Sequence, residues 1–425
     1  MAELIIKIYI LVCLLLILFQ IAYLAVLAVR AHVERLVIKK MRRNILSQME
    51  RIFQNKPTTD KHLSFIARDL TQPISLYCYE RALSSVRDDA LAGTLCLRDP
   101  EEITNVTIYI RHNAKNYDTE EQSRGRSRIF MCLRPKKELI RPLDPDKAMD
   151  VFERYLRDIS PSMVSLTESY RKKESILHAF YVFVLKKYSI PSYHCTSELV
   201  ANLKDLIVLG DSTCAEGVML AVYTMGDPGR VLEFLELIDG SDKFVHPKII
   251  SDGILSYTAD RKPLHDAIIS SLTHFSAGMQ VNLLNYLRFT DGDYCEPILK
   301  ILKDESVNDE VRFCCIRYFG RYHYEPAYEI IADFAENADS RRMEYAVVSL
   351  VALRKYPCER TVKILSQHIH HPNWYIRYNA TESIEMLGIE YQDLVDIFDG
   401  GDRYAREMLQ YQFDQRYILE KEVDE

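Results

Sequence analysis

The tightest group of candidate metal ligands in the sequence consists of His368, His370 and His371. Imidazole is a common ligand of transition metals, but residues one and two positions apart on a helix point to different sides. His371 also precedes a proline, which is typical of the end of a helix. The pattern therefore favours a structural role for these histidines, and we predict no metal site.

Sequence motifs for nucleotide or nucleophile chemistry are missing. The chain contains no GxxxxGK[ST], GxGxxG or GxSxG pattern, the motifs that cradle a phosphate or expose a nucleophile. The net charge of -7 and the pI near 6.0 also argue against a protein that neutralises nucleic-acid phosphates. We therefore predict no catalytic residue, no cofactor and no nucleic-acid partner, so the protein is not expected to be an enzyme.

The amino-terminal segment has the length and composition of a membrane span. From Ile8 to Val29, 22 residues, the only strongly polar side chain is Gln20. At about 1.5 Å rise per residue this run matches the roughly 30 Å of a bilayer's hydrocarbon core. A cleaved signal peptide is the alternative, but its apolar region is usually only about 7–15 residues long. We predict a transmembrane helix over residues 4–29.

A basic cluster follows the span and sets its expected orientation. Only Glu34 interrupts the cluster, and such clusters stay on the cytoplasmic side during insertion. We therefore predict a single-pass cell-membrane protein with its amino terminus outside and its carboxy-terminal domain in the cytoplasm. The ten cysteines include no CxxC pair, which fits a reducing compartment. The membrane-proximal basic residues are Arg30, Arg35, Lys39, Lys40, Arg42 and Arg43.

Residues 30–55 are predicted to continue as an amphipathic helix, because an apolar residue recurs at every fourth position from Val33 to Phe53. One interpretation is a stalk that packs against the body of the protein. The other is a surface for anionic lipid or for a partner's helix, to which each basic side chain contributes about 1 kcal/mol. The apolar stripe consists of Val33, Val37, Met41, Ile45, Met49 and Phe53.

Residues 56–200 are predicted to be a helical region with one insertion. Within 103–134, the segments ITNVTIYIR and RIFMCL are rich in β-branched and aromatic residues, and a polar run separates them. We predict a small β-hairpin there, with an unstructured insertion loop as the alternative.

Residues 201–425 contain an internal repeat. Asp, Asn or Ser recurs at steps of 29 to 34 residues, three positions before an apolar residue, as expected of the first residue of a helix. Gly226 and Gly388 stand where a helix ends in a left-handed turn. One helical pair cannot bury its own apolar side, so the pairs are expected to stack into an α-solenoid with a charged carboxy-terminal cap. The repeat starts are Asp211, Asp242, Ser276, Asn308, Asp339, Asn373 and Asp402. Prolines suited to the first turn of the next helix follow at Pro228, Pro263, Pro297, Pro326 and Pro357.

The segment from Asn373 to Gly388 resembles the second helix of a HEAT repeat, with Ile376-Arg377 in place of that motif's Val-Arg pair. Asn308 with Val311-Arg312 is similar, whereas Arg342-Met343 after Asp339 departs from the pattern. The resemblance covers about residues 200 to 415 and implies an all-α scaffold for protein contacts, in which Arg312 and Arg377 bond to acidic or carbonyl groups of a neighbouring repeat. With one amino-terminal span, the layout is similar to that of bacterial membrane proteins that accompany membrane glycosyltransferases of surface polysaccharide synthesis.

The outward positions of the repeat helices carry mixed charge and aromatic side chains, which is the composition of a protein interface. The alternative is that the tyrosines pack between adjacent repeats. The outward positions also include Glu344 and Asn379. The candidate partner-binding residues are Phe313, Arg317, Arg321, Tyr345, Val348, Tyr378 and Glu382.

The sequence therefore predicts a membrane-anchored cytoplasmic scaffold that binds a partner protein. One alternative is a HEAT-type enzyme that acts on lipid or nucleic acid. The di-iron enzymes of that architecture use His-Glu pairs, and no histidine here precedes a glutamate. The other alternative is a structural membrane protein that self-associates through the Val33 to Phe53 stripe.

Overall fold

A computed structural model describes residues 2–97, 142–337 and 343–424. Within these ranges the fold is all-α, as predicted, and no β-strand is present. The β-hairpin predicted for residues 103–134 lies outside the described residues. The chain divides into two compact units, residues 1–225 and residues 226–425.

Unit 1 contains nine helices in the part of the chain that is described. They are α1 (Ala2–Phe53), α2 (Asp60–Asp69), α3 (Pro73–Leu91), α4 (Pro145–Val164), α5 (Thr167–Arg171), α6 (Ser175–Lys187), α7 (Ile190–Tyr193), α8 (Ser197–Leu209) and α9 (Ser212–Tyr223).

The first helix, α1, has two halves with different surroundings. It is long and apolar enough to cross a membrane, and its side chains from Leu15 to Val29 are exposed. Its second half packs against α3 and α4 and buries Met41, Ile45 and Met49. The packed-stalk interpretation therefore holds for this half, and the buried stripe is not free to bind a second copy of the chain. Val33, at the start of the stripe, stays exposed.

The core of unit 1 is rich in buried tyrosines that bond across distant segments. His62 Nε2 lies 2.8 Å from the Tyr155 hydroxyl, and Tyr170 donates to the Leu70 carbonyl at 2.8 Å. Tyr181 donates to the Met163 carbonyl at 2.9 Å. A buried hydroxyl without a partner is costly, so these bonds make tyrosine compatible with the interior.

Unit 2 is a series of short helices, of which the odd-numbered ones form a ladder. The helices are α10 (Pro228–Asp239), α11 (Pro247–Ser251), α12 (Arg261–Ser271), α13 (Ala277–Thr290), α14 (Cys295–Lys303), α15 (Asp309–Phe319), α16 (Tyr328–Glu336), α17 (Met343–Ala352), α18 (Glu359–His368), α19 (Trp374–Met386), α20 (Val395–Phe398) and α21 (Arg403–Asp424). From α11 to α21, each odd-numbered helix packs against the next odd-numbered one. In addition, α14, α16 and α18 each pack against the ladder helix that follows.

Most of the predicted repeat starts cap a helix. The side chains of Asp211, Ser276, Asn308, Asn373 and Asp402 each accept a backbone N–H from the first turn of the helix that follows. The prediction for Asp242 was wrong, because α11 begins only at Pro247 and the ring of His246 caps it instead. Asp339 lies outside the described residues. The left-handed glycines are confirmed, with φ of +72° at Gly226 and +71° at Gly388.

The proline predictions hold for three of the five positions. Pro228 is the first residue of α10, and Pro263 and Pro297 lie in the first turns of α12 and α14. Pro326 instead lies in a short 3-10 turn that precedes α16, and Pro357 stands two residues before α18. At both positions the fixed φ of proline shapes the connection before the helix.

Candidate functional site

Two of the predicted outward side chains, Phe313 and Tyr345, are buried. Their ring centroids lie 4.7 Å apart in an edge-to-face contact, and Tyr345 also stacks on Phe334 of α16 at 4.5 Å. The Tyr345 hydroxyl donates to Asp309 at 2.6 Å, and burial raises the pKa of Tyr345 to about 12. The outward prediction was wrong for this pair because α16 contributes an aromatic ring that closes the space between α15 and α17. The alternative interpretation, packing between adjacent helices, is correct here.

The two arginines of the predicted repeat motif, Arg312 and Arg377, bond to backbone carbonyls. Arg312 is buried, and its Nε donates to the carbonyl of Leu302 in α14 at 3.1 Å. Its guanidinium also lies 5.2 Å from the ring centroid of Phe334. Arg377 Nη1 donates to the carbonyls of His371 and Pro372 at 2.8 and 2.9 Å. Both arginines therefore hold a ladder helix to the segment that precedes it.

Arg317 is exposed on α15, and Arg321 is exposed in the turn that follows this helix. Both lie beside a third arginine that the sequence pattern did not single out. We call Arg288, Phe289, Arg317 and Arg321 the arginine cluster. The guanidiniums of Arg288 and Arg321 lie 4.5 and 5.3 Å from the Phe289 ring centroid, so they flank this exposed ring. Arg317 donates to the Cys314 sulfur at 3.8 Å.

The arginine cluster carries uncompensated positive charge. None of its three arginines pairs with a carboxylate in the described part of the chain, and the buried Arg288 Nε has no hydrogen-bond partner there. Burial and the charges of Arg317 and Arg321 lower the pKa of Arg288. Arginines beside an exposed aromatic ring are a common composition of protein interfaces.

The other predicted contact residues, Val348, Glu382 and Tyr378, are half-buried. Glu382 is not a free charge, because it pairs with Arg354 of the 3-10 turn that follows α17. Arg354 also donates to the Ser383 hydroxyl at 3.0 Å. Of the three, Tyr378 alone belongs to an exposed aromatic group.

This group, the tryptophan cluster, consists of Trp374, Tyr375 and Tyr378 at the start of α19. The Trp374 ring stacks on Tyr378 at 5.0 Å and meets Tyr375 edge-on at 5.2 Å, and both Trp374 and Tyr375 are exposed. On α21, the exposed Tyr404 ring lies 5.5 Å from the Arg377 guanidinium. The sequence interpretation missed Trp374 and Tyr375, although Trp374 is the only tryptophan in the chain.

The membrane-proximal basic residues lie between the apolar half of α1 and its packed half. Arg30, Arg35, Lys39 and Lys40 are exposed. Arg43 is also exposed and donates to the carbonyl of Lys39 at 3.4 Å, whereas Arg42 pairs with Asp89 of α3. The exposed basic side chains of α1 therefore lie directly after the end of its apolar segment.

The three clustered histidines contact different groups. His368 is buried and bonds to the carbonyl of Ile364 at 2.8 Å, and burial lowers its pKa. His370 bonds to Asp402 at 2.8 Å, which lowers the pKa of that carboxyl group. His371 accepts the backbone N–H of Asn373 at 3.0 Å. Among the described residues, no group of three or more His, Cys, Asp or Glu side chains is placed to hold a metal ion.

The sequence matches no protein-family model and no curated protein.

Proposed function

We propose that this chain is a membrane-anchored scaffold whose helical pairs hold a partner protein near the bilayer. The observation that carries the proposal is the tryptophan cluster, three aromatic side chains gathered at the exposed start of one ladder helix. Trp and Tyr dominate the binding energy of protein interfaces because they bury a large area with few rotatable bonds. On this proposal the chain has no catalytic activity of its own.

The serial contacts of unit 2 support a HEAT-like α-solenoid. Each ladder helix packs on the next, and Arg312 and Arg377 bond to the segment that precedes their helix. Stacked pairs of this kind bury a continuous core and leave an extended side for binding. The tryptophan cluster lies on the ladder helix α19, and the arginine cluster lies on α13, on α15 and in the turn that follows α15.

The properties of α1 support the membrane anchor. Its exposed apolar half has the length of a span, and free basic side chains follow it directly. Such residues stay in the cytoplasm during insertion, so we propose an outside amino terminus and cytoplasmic units. A partner held at the bilayer is present at a high effective concentration without any new contact. The HEAT resemblance, with this single span, favours a membrane glycosyltransferase as the partner.

The experiment compares two tagged variants of the full chain, purified with mild detergent from the membranes of its own cells. In the first, Trp374→Ala and Tyr375→Ala remove the exposed aromatic rings. In the matched control, Phe244→Ala removes an equally exposed aromatic ring of the same unit. Melting temperatures of both variants establish that the fold is kept.

We expect a protein that co-purifies with the wild type and with the Phe244 variant, but not with the double variant. A third variant, Arg317→Ala with Arg321→Ala, tests whether the arginine cluster contributes to the same contact. An unchanged set of co-purifying proteins in the Trp374 and Tyr375 variant would contradict the proposed binding face.

A further inference from the structure

The start of α3 packs beside the part of α1 that directly follows the apolar segment. Ile74 and Ser75 of α3 line one groove with Arg30 and Val33 of α1. At about 1.5 Å per residue, Val33 lies roughly 6 Å beyond Val29, the last residue of the predicted span. The headgroup layer extends the hydrocarbon core by about 5–8 Å on each side. A span that ends at Val29 therefore brings Ile74 to the headgroup layer.

The contacts along α1, α3 and α6 show that these three helices run in the same direction. Next to Ile74 at its start, α3 meets Arg30 of α1, and further along Asp89 pairs with Arg42. On the other side of α3, the Tyr77 ring lies 6.4 Å from Phe180 of α6. Further along, Lys187 donates to Glu80 at 2.6 Å and to Ser84 at 3.1 Å. The amino-terminal ends of α3 and α6 therefore point towards the bilayer, in the same direction as the amino-terminal, apolar half of α1.

This end of unit 1 exposes large apolar side chains from three helices. Ile74 on α3 is 56% exposed, Ile176 on α6 is 74% exposed and Leu209 at the end of α8 is 80% exposed. The Leu209 side chain reaches this end because it shares a groove with Lys173 and Ser175, which directly precede Ile176. Exposed apolar side chains grouped at one end of a folded unit mark an interaction surface. We call Ile74, Tyr77, Ile176, Val208 and Leu209 the apolar rim.

The charges around the rim suit a lipid surface. Arg171 and Lys172 pair with Glu168, and Arg171 also pairs with Asp205, so this region is close to neutral. Lys173 has no carboxylate partner among the described residues, and its ammonium lies 5.6 Å from the Tyr170 ring centroid. The exposed Glu174 next to it keeps the net charge beside the rim close to zero. Basic and aromatic side chains next to apolar ones are typical of the membrane interface.

We propose that the apolar rim of unit 1 rests on the bilayer beside α1 and inserts its side chains among the lipid headgroups. The inference relies on the proposed anchor, since α1 sets the height of the rim. The contact between the rim and the bilayer, in addition to the span of α1, fixes the tilt of unit 1 on the membrane. A single helix leaves this tilt free to vary. The occupant of this surface is therefore lipid, and neither a second copy of the chain nor a partner protein.

Tryptophan fluorescence in vesicles tests the proposal on the full chain. Trp374→Phe gives a background without tryptophan, because the chain contains only one. Single tryptophans are then introduced by Ile176→Trp and Leu209→Trp in the rim and by Leu24→Trp in the span. The matched control is Leu91→Trp, because Leu91 is 55% exposed and ends α3 about 25 Å from Ile74. Circular dichroism checks that each variant is folded.

The vesicles contain phosphatidylcholine with a minority of phosphatidylglycerol, with either ordinary or brominated acyl chains near the headgroup. Brominated lipid quenches only tryptophans that contact it. We expect a large loss of emission at positions 24, 176 and 209, and none at position 91.

Each other outcome overturns a distinct part of the account. If position 24 is quenched but 176 and 209 are not, the rim does not touch lipid, whereas the anchor stands. A blue shift at 176 and 209 without quenching means that protein covers the rim, which also contradicts the proposal. Without quenching at position 24, the anchor itself fails, and the proposed function fails with it. Quenching at all four positions indicates nonspecific adsorption and contradicts a defined rim.

Discussion

The two units differ in how far apart along the chain their contacting residues lie. In unit 1, Thr58 bonds to Asp158 and Tyr170 bonds to Leu70, both over 100 residues, and Lys187 pairs with Glu80 over 107 residues. In unit 2, Ser383 bonds to Leu350 over 33 residues, and His265 bonds to Asp291 over 26. Unit 2 is therefore built from contacts between neighbours, and unit 1 from contacts that bring distant segments together.

Because of this difference, the two units are expected to respond differently to a destabilising substitution. A ladder of neighbours has a stability that is close to a sum over its repeats and their contacts, so damage stays local. Long-range contacts depend on one another, so unit 1 is expected to lose its structure as a whole.

The largest loss of stability is expected from two matched substitutions that each create a cavity, one in each unit. Ile45 in unit 1 and Ile376 in unit 2 are both fully buried. Replacing either with Ala is expected to cost about 2–5 kcal/mol of the free energy of unfolding. For Ile45→Ala, hydrogen exchange of the full chain should lose protection in α2, α3 and α4 together. For Ile376→Ala, the loss should be confined to α17, α18, α19 and α21.

The same spread of lost protection in both variants would contradict the contrast. A loss confined to α1 in the Ile45 variant would show that unit 1 is modular as well. The Leu91→Ala variant serves as the control, because this leucine is exposed and its replacement should change neither pattern.

Acid should weaken unit 1 through His62. Burial lowers its pKa to about 4, whereas the unfolded chain has the ordinary value near 6.5. Between these two pKa values the unfolded state binds more protons, so stability falls as the pH drops from 6.5 to 4. The loss reaches up to about 3 kcal/mol and is absent above pH 7.

The matched variant for this prediction is His62→Gln, whose amide can still bond to the Tyr155 hydroxyl but does not titrate. Denaturant unfolding at pH 7 and at pH 4.5 measures the effect. The wild type should lose more stability than the variant between the two pH values. Equal losses of stability in the wild type and the variant would mean that protonation of His62 does not destabilise unit 1.

The ladder was largely predictable from the sequence because its signals are local. A cap residue such as Asn308 or Asn373 and a glycine such as Gly388 act within one turn of their own helix. The start at Asp242 was placed wrongly, because the chain runs on to His246 before the next helix begins. The unit 1 core could not be predicted, because tyrosines such as Tyr155 and Tyr170 find their partners 93 and 100 residues away.

For the candidate contact residues too, the sequence predicted what depends on a single helix and missed what depends on a neighbouring one. The helical period correctly placed Arg317 on the exposed side of α15, and Arg321 is exposed in the turn after this helix. It failed for Phe313 and Tyr345, since their burial depends on Phe334 of another helix. Phe289 and Arg288 were missed because they join Arg321 only when α13 packs against α15.

Two repeat starts provide a smaller test of the ladder. Asn373→Ala removes a side chain that accepts two backbone N–H groups of α19, and is expected to cost about 1 kcal/mol. The matched variant Asp242→Ala alters an exposed residue that caps no helix and should cost less than about 0.5 kcal/mol. Unfolding midpoints measure both. An equal cost in the two variants would contradict the assignment of the caps.

The smallest effect is expected from the ion pairs that join α16 and α18. Arg360 contacts Glu329, Asp333 and Glu336, all at the surface. Arg360→Ala should cost about 0.5 kcal/mol at low salt, and the difference should shrink at high salt because exposed pairs are screened. A cost that does not depend on salt would show that the arginine contributes by packing, and not by charge.

Shortening the full chain from its carboxy terminus tests the serial construction of unit 2 most directly. One variant ends at Gly401 and lacks α21, and a second ends at His371 and also lacks α19. Hydrogen exchange should show that the first deletion removes protection from α19 and α20, the two helices that pack against α21, and that the second removes it from α17 and α18, while α13 keeps its protection in both. A uniform loss across α10 to α18 after the first deletion would contradict the account, because it would show one cooperative body in place of a ladder.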